Sequence, residues 1–320
     1  MIKPILYYLV GLPASGKTTW AEQNKKDNSI IHISSDNIRE ELYGDVNNQD
    51  HNNEVFQYMD KKTKELLRQG KDVIYDATNI NSKRRINFLK ELNKIDCEKI
   101  CIYFYSSPFH SICMDMSRDR KVGKDVICKM YKNLQIPMYH EGWDNIIIKG
   151  IDRYGIDNHN YLNTVFDFNN YDEYEYFLSN YNDLSSCINF SQDNPHHTLS
   201  LSRHMYYTYE YLKNKTNNEY LKIASILHDI GKVDCKEFKG RYAHYYGHEN
   251  ISAQKAINFL MVNTRFSENE IIKIAMYVQL HMRLLNLQDS YKAKEKFIKL
   301  IGDEIYNDLL LFHNADMLAK

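Results

Sequence analysis

No excess of charge of either sign marks this chain: 41 lysines and arginines stand against 42 aspartates and glutamates. That balance excludes a broad basic surface gripping nucleic acid through many phosphates, so any such contact has to be local. The six cysteines, Cys97, Cys101, Cys113, Cys128, Cys187 and Cys235, form no C-x-x-C pair. Neither a disulfide framework nor a thiolate zinc site is suggested, so reduced thiols in a cytoplasm are expected. No run approaches the roughly 20 apolar residues of a membrane span, so no membrane partner is expected. The N-terminus lacks the basic, then apolar, then small order of a secretory signal, and its apolar run stops at a glycine loop. Internal repeats and low-complexity tails are also missing.

At 320 residues the chain exceeds the usual size of one hydrophobic core, so two domains are expected. Histidine marks the divide: five of the 13 precede residue 190, and eight lie between His196 and His313. In the first part, short β-type apolar runs at residues 5–10, 30–33, 73–75, 100–105 and 146–148 alternate with helical patterns such as 54–68 and 82–92. This predicts an α/β domain, a parallel sheet flanked by helices, over residues 1–150. Residues 151–190 turn irregular, polar and tyrosine-rich and read as a connector. From about residue 198 the strand signal disappears and amphipathic patterns recur at 201–212, 220–230, 251–262, 268–285 and 303–318. An all-α domain over 191–320 follows.

Gly11-Leu12-Pro13-Ala14-Ser15-Gly16-Lys17-Thr18 fits G-x-x-x-x-G-K-[ST] between a predicted strand and a predicted helix. In such a loop the glycines turn backbone N–H groups toward nucleotide phosphates and the helix N-terminus adds positive charge. Lys17 would reach the β- and γ-phosphates, and Thr18 would offer its hydroxyl to Mg²⁺. Gly11, Ser15, Gly16, Lys17, Thr18 and Thr19 are therefore candidate contacts for ATP or another NTP. The acceptor should lie at the carboxyl ends of the next strands. There Asp36 can take a proton from a hydroxyl, and Arg39, one helical turn on, can hold an acceptor phosphate. Asp36 is equally suited to cap a helix over residues 37–43. After the third strand, Asp76-Ala77-Thr78-Asn79 sets another carboxylate near the Mg²⁺ position.

These segments, with Arg118-Asp119-Arg120 and the later Pro137 and Glu141-Gly142-Trp143-Asp144, resemble the polynucleotide 5′-kinase branch of P-loop proteins. The resemblance implies that Asp36 is the general base for a 5′-hydroxyl and that Arg39 contacts the acceptor phosphate. It makes Arg118 and Arg120 the lid arginines, a role that Lys121 or Lys124 could share.

In the second half, His204, His228, Asp229, His248, His281 and Asp316 fall one or two per predicted helix. Imidazole and carboxylate suit first-row divalent metals, and one histidine on an apolar helix is ordinary where six such residues are not. Neighbours on a helix diverge by about 100°, so His228 and Asp229 share an ion only if one leans around the axis. Gly231 reads as the end of their helix.

This set resembles the HD phosphohydrolase superfamily. Asn194-Pro195-His196-His197, Ile226 through Lys232 and His244 through Glu249 look closest to the branch attached to tRNA nucleotidyltransferases. The resemblance implies one or two divalent metals, Ni²⁺, Mn²⁺, Co²⁺ or Fe, and 2′,3′-cyclic phosphodiesterase or phosphatase activity. His196, His197, His244 and Lys232 are further candidates for phosphate contacts, with loop histidines and a helix-end lysine as the plain alternative. His313, one turn from Asp316, either supports a ligand from behind or is simply core. The two halves together imply an end-healing enzyme acting on RNA or DNA ends, working with a separate RNA ligase. A small-molecule kinase fused to an HD nucleotidase, an HD half that hydrolyses a signalling nucleotide, and a non-catalytic nucleotide sensor are the alternatives.

Overall fold

The computed structural model describes residues 3–25, 29–46, 48, 50–150, 166–195, 197–287 and 290–320. The chain divides into two units, Met1–Ile151 and Asp152–Lys320. His196 lies outside the described residues, as does the first part of the expected connector.

In the first unit the elements run β1 Ile5–Gly11, α1 Lys17–Asn24, β2 Ile30–Ser34, α2 Ser35–Tyr43, α3 Asn52–Arg68, β3 Asp72–Asp76, α4 Ser82–Leu92, β4 Glu98–Phe104, α5 Pro108–Met116, α6 Lys124–Asn133 and β5 Asn145–Lys149. The strands form one parallel sheet in the order β2-β3-β1-β4-β5. Buried on both faces, they carry near-continuous apolar runs, as parallel strands between helices must. On one face Leu9, Ile74, Ile100, Ile102 and Phe104 pack with Ala21 of α1. On the other, Tyr8 stacks on Tyr75 at 4.6 Å and meets Phe88 and Trp143.

Behind this aromatic layer sits Arg85, fully buried, whose guanidinium makes two bonds to Glu141 at 2.6 and 2.7 Å. It also donates to the carbonyls of Asn79 and Ile136, so one side chain ties α4 to the ends of β3 and α6. Trp143 Nε1 donates to the same carboxylate at 3.0 Å. Removing Glu141 would strand a buried cation, at a cost of about 3–5 kcal/mol.

The second unit contains α7 Tyr171–Ser179, α8 Asn182–Ser185, α9 Leu201–Lys213, α10 Glu219–Leu227, α11 Lys232–Cys235, β6 Glu237–Lys239, β7 Tyr242–His244, α12 His248–Asn263, α13 Glu268–Leu280, α14 Tyr291–Ile301 and α15 Asp303–Leu318. Local chemistry starts these helices: Asn170, Asn218 and Ser290 cap α7, α10 and α14, and Ser267 with Glu270 forms a complete capping box on α13. α10 packs against α9 and α13, while α15 closes on α9.

Three expectations need correction here. Residues 166–190 do not form an irregular connector. Asn170 starts α7, and Tyr171, Tyr174, Phe177 and Leu178 supply an i, i+3, i+4 apolar stripe. That stripe, with Phe168 just before the helix, joins Tyr206, Tyr209 and Phe259 in an aromatic core. The unit is not all-α either, because β6 and β7 form an antiparallel hairpin. Finally, Gly231 does not end a helix with a left-handed residue. It lies in right-handed backbone and lets α12 approach, since a Cβ there would stand 2.6 Å from the His248 carbonyl oxygen.

Candidate functional site

Sheet order brings the first set of residues to one edge. β3 lies between β2 and β1, and the register puts Ser34 beside Asp76. The loop after β1, the start of α2 and the end of β3 therefore share the carboxyl edge of the sheet. The glycine loop is anchored there by Gly11 N–H donating to Thr78 at 3.0 Å. Gly11 has no room for a side chain, because a Cβ would lie 2.6 Å from the Phe104 carbonyl oxygen. Gly16 adopts φ 90° as the residue before α1, a conformation that disfavours any side chain.

Lys17 is buried and donates to the carbonyls of Gly11 and Leu12 and to Ser15 Oγ, at 3.1, 2.5 and 3.3 Å. Burial pushes its ammonium down to about 8, against the pull of Asp76. Thr18 Oγ1 donates to Asp76 Oδ2 at 3.0 Å, which couples the loop to the carboxylate at the end of β3. Thr19 is exposed on the first turn of α1.

Sequence reasoning missed the residue behind Asp76. The side chain of His32 in β2 is buried, with Nε2 3.2 Å from Asp76 Oδ2 and Nδ1 3.0 Å from Glu22 Oε1. Burial opposes its protonation, but Asp76 and Glu22 together raise its pKa. The available signal was strand alternation: His32 and Ser34 share the face on which Asp76 stands.

Asp36 is not a helix cap. α2 begins two residues earlier than expected, at Ser35, and Ser34 Oγ takes the capping bond from Asp36 N–H at 3.2 Å. The carboxylate is left 43 % exposed between two arginines, Arg39 Nη1 at 2.9 Å and Arg120 Nη1 at 2.7 Å. Arg39 also donates to Asn52 Oδ1 at 2.6 Å.

The two lid candidates separate. Arg120 meets Asp36, whereas Arg118 lies 3.8 Å from Asp115. Asp115 is the organiser of this segment, which sequence reasoning did not single out: its buried carboxylate accepts from the backbone of Val122 and Gly123 at 2.9 Å. Lys121 and Lys124 are exposed.

In the second unit the other five metal candidates gather around Asp229. Its Oδ2 lies 3.3 Å from both His204 Nε2 and His228 Nε2, and these two nitrogens stand 3.0 and 3.5 Å from Asp316 Oδ1. Its Oδ1 lies 3.2 Å from His248 Nε2 and 3.6 Å from His281 Nε2. The divergence problem for His228 and Asp229 does not arise, because α10 stops at Leu227 and His228 is already its C-cap.

The four rings are locked in one tautomer. Each Nδ1 faces a backbone carbonyl: Ala319 for His204, Ser225 for His228, Tyr245 for His248 and Val278 for His281, all within 2.8 Å. A carbonyl only accepts, so each Nδ1 holds the proton and each Nε2 lone pair points inward. Within each set the two Nε2 atoms approach to 3.2 and 3.3 Å, a contact between lone pairs unless a proton or a cation lies between them. Asp229 Oδ1 is buried with no hydrogen-bond donor. Orphan oxygen, inward lone pairs and carboxylates are the donor set of a first-row divalent cation, so the residues fit the implied metals, with two sets of three donors joined at Asp229.

Electrostatics differ between the sets. Burial would depress His228, but Asp229 and Asp316 reverse this and hold it at about 10. His281, with no carboxylate as close, is pushed down to about 3 by burial. Lys232 belongs to the centre: its buried ammonium lies 2.7 Å from Asp229 Oδ2 and 2.8 Å from Gln192 Oε1. His197 lies with its ring centroid 5.0 Å from that of His204, and burial pushes it down to about 3. His244 stands apart on β7, stacked on Tyr246. His313 is half-buried, and its neighbour Phe312 takes the packing position against His228 and His281.

Residues 6–126 match the family model described as an AAA domain. No curated protein matches the chain by sequence. Among solved structures, a Pnkp1/Rnl/Hen1 complex contains a chain similar at 22 % identity and TM-score 0.32, over 38 % of this chain and 41 % of that one. A fungal RNA kinase is similar at 16 % identity and TM-score 0.36, over 46 % and 38 %. A putative kinase from Chloroflexus aurantiacus is similar at 16 % identity and TM-score 0.39, over 46 % and 88 %. The chain thus spans about two-fifths of the length of the first of these. Among the described residues, no helix is long and apolar enough to cross a membrane.

Proposed function

We propose that the chain is an end-healing enzyme: an ATP-dependent kinase of nucleic-acid 5′-hydroxyls joined to an HD-type, metal-dependent 2′,3′-cyclic phosphodiesterase and 3′-phosphatase. The observation carrying the kinase half is the Asp36 carboxylate held between Arg39 and Arg120 at the strand edge that carries the glycine loop. For the phosphoesterase half it is Asp229, which turns one oxygen to each of two histidine sets.

In the kinase, Asp36 takes the proton of the 5′-hydroxyl as its oxygen bonds to the γ-phosphorus, and the bond to the β-bridging oxygen breaks to release ADP. Lys17 meets the phosphates from within the loop, and Thr18 and Asp76 would hold Mg²⁺. Both arginines are paired to Asp36. Acceptor and γ-phosphates compete for them, so substrate binding draws the guanidinium groups toward phosphate and frees the carboxylate to act as base.

In the second unit His204, His228, Asp229, His248, His281 and Asp316 would hold one or two metals, which supply Lewis-acid activation of phosphorus and water. Lys232, steadied by Gln192, keeps Asp229 ionised and oriented. His197, neutral at physiological pH, offers hydrogen bonding to phosphate beside His204.

Transfer from labelled ATP to a 5′-hydroxyl oligonucleotide, in competition with free nucleosides, tests the acceptor. Preference for the oligonucleotide is expected; transfer to nucleosides alone would assign the kinase to small molecules. The most favourable ligase partner would take the 5′-phosphate and 3′-hydroxyl that result.

A further inference from the structure

The hairpin that interrupts the helical unit carries an unusual sequence, Phe238-Lys239-Gly240-Arg241-Tyr242-Ala243-His244-Tyr245-Tyr246, in which rings and cations interleave. Gly240 at φ 66° starts its two-residue turn. Pairing of Lys239 with Tyr242 and of Glu237 with His244 puts these four on one face, and Phe238 with Ala243 on the other. Ala243 turns the second face inward at one end while Phe238 leaves its other end 60 % exposed; the first face is the outward one, where Glu237, Lys239 and Tyr242 are all exposed.

The outward face is fixed in place. Ala243 N–H donates to the Asp193 carbonyl at 2.9 Å, Asn194 donates to the Ala243 carbonyl at 3.0 Å, and Tyr245 donates to the Gln192 carbonyl. Its rings remain open: Tyr242 is 41 % and Tyr246 59 % exposed, and Tyr246 lies on His244 with planes within 10°. Lys239 lies 4.6 Å over the Tyr246 ring and Arg241 5.2 Å over Tyr242. Lys236, by contrast, is paired with Asp193.

The strip leads to the Asp229 centre. Lys232 touches Asp229 on one side and lies 5.4 Å over the Tyr245 ring on the other. The Tyr245 backbone carbonyl in turn accepts a hydrogen bond from Nδ1 of His248, four residues beyond His244.

We propose that this hairpin face is a stacking platform for the unpaired bases of a single-stranded nucleic acid whose phosphate end enters the Asp229 centre; the second clause rests on the phosphoesterase reading. Flat rings separated by cations match alternating bases and phosphates, and stacking on them needs no particular base. A protein partner would favour contiguous apolar surface, which Lys239 and Arg241 interrupt. The nearly neutral chain supplies no general attraction for polyanions, so affinity has to come from a local strip of this kind.

The test uses the full chain, a single-stranded RNA of about eight nucleotides ending in a 2′,3′-cyclic phosphate, and bis(p-nitrophenyl) phosphate as a substrate with no bases to stack. Tyr242→Ala combined with Tyr246→Ala should raise the KM for the RNA roughly 5- to 100-fold per ring. Hydrolysis of the small diester should stay within about twofold, and the matching pair of Phe substitutions should restore RNA KM to near wild type, since stacking needs the ring and not the hydroxyl. Equal loss on both substrates, or an RNA KM indifferent to the rings, overturns the platform. So does a change in self-association of the chain without a change in RNA binding, which would assign the face to a second copy. The two readings fail separately. If fluorescence anisotropy shows ring-dependent RNA binding while no phosphate ester is hydrolysed, the platform stands and the phosphoesterase falls; hydrolysis of the small diester without RNA binding gives the reverse.

Discussion

The two candidate sites are built on opposite plans. At the edge of the sheet stands a partly exposed carboxylate, Asp36, paired with the long side chains of Arg39 and Arg120. Around Asp229 the groups are imidazoles and carboxylates in a largely buried setting, and each ring is fixed by a backbone carbonyl through its outer nitrogen. Under the proposed function the difference follows from what each would bind. A nucleotide and an acceptor bring their own charges and have to enter and leave, so the protein groups that meet them must be free to re-pair. A resident cation needs donors that are already oriented, and burial makes a misplaced donor expensive.

The largest effect should come from breaking the rigid site. Asp229→Ala removes the group shared by both histidine sets and is expected to empty the centre of metal by elemental analysis, with ester hydrolysis falling about 10³-fold or more. Phosphoryl transfer to 5′-hydroxyl ends should be untouched. Next, Asp36→Asn should lower kinase kcat by roughly 10²- to 10⁴-fold while KM for ATP changes little, because the base is lost and the nucleotide loop is intact.

A smaller change sharpens the comparison within the exposed site. Arg120→Ala should slow transfer about 10²-fold, whereas Arg118→Ala, whose partner is Asp115, should stay near wild type. Equal losses would mean that the lid rearranges beyond the arrangement seen here. Smaller again, Gly231→Ala forces a Cβ against the His248 carbonyl and should cost about 1–3 kcal/mol of stability, read as a lowered Tm.

The smallest effect is in protons. Lys17 is held at about 8 by burial, below the value of an unfolded lysine, so its charged form is disfavoured in the folded protein and that penalty fades as pH rises from about 8 toward 10.5. Nucleotide phosphates restore the charge. Binding of ATP at pH 9 should therefore take up at most about one proton, measurable by calorimetry in buffers of different ionisation enthalpy, and uptake should vanish below pH 7.

How far the sequence could be read depended on how each feature is encoded. The glycine loop is contiguous, and the five strands are apolar runs, so both were visible. The six metal candidates are scattered, but an unusual residue type recurring once or twice per helix drew attention to them. What was hidden depends on partners distant in sequence. His32 looks like any strand histidine until β3 is laid beside β2, and Asp115 looks like a surface carboxylate until the chain folds back at Val122. The hairpin escaped because its strands alternate charge with aromatic ring and lack the apolar face by which strands are recognised. α7 escaped because its tyrosines were counted as polar although Tyr171 and Tyr174 are buried. Arg118 and Arg120 are equivalent by spacing, and only their different partners separate them.

The most direct measurement uses one oligonucleotide bearing a 5′-hydroxyl and a 2′,3′-cyclic phosphate, incubated with ATP and divalent metal, with both ends read by mass spectrometry. With the wild type, the account predicts that both ends change. Asp36→Asn should leave only the 5′ end unprocessed and Asp229→Ala only the 3′ end. Failure of both ends in either single variant, or an unaltered oligonucleotide with the metal-loaded wild type, would contradict two independent sites acting on nucleic-acid ends.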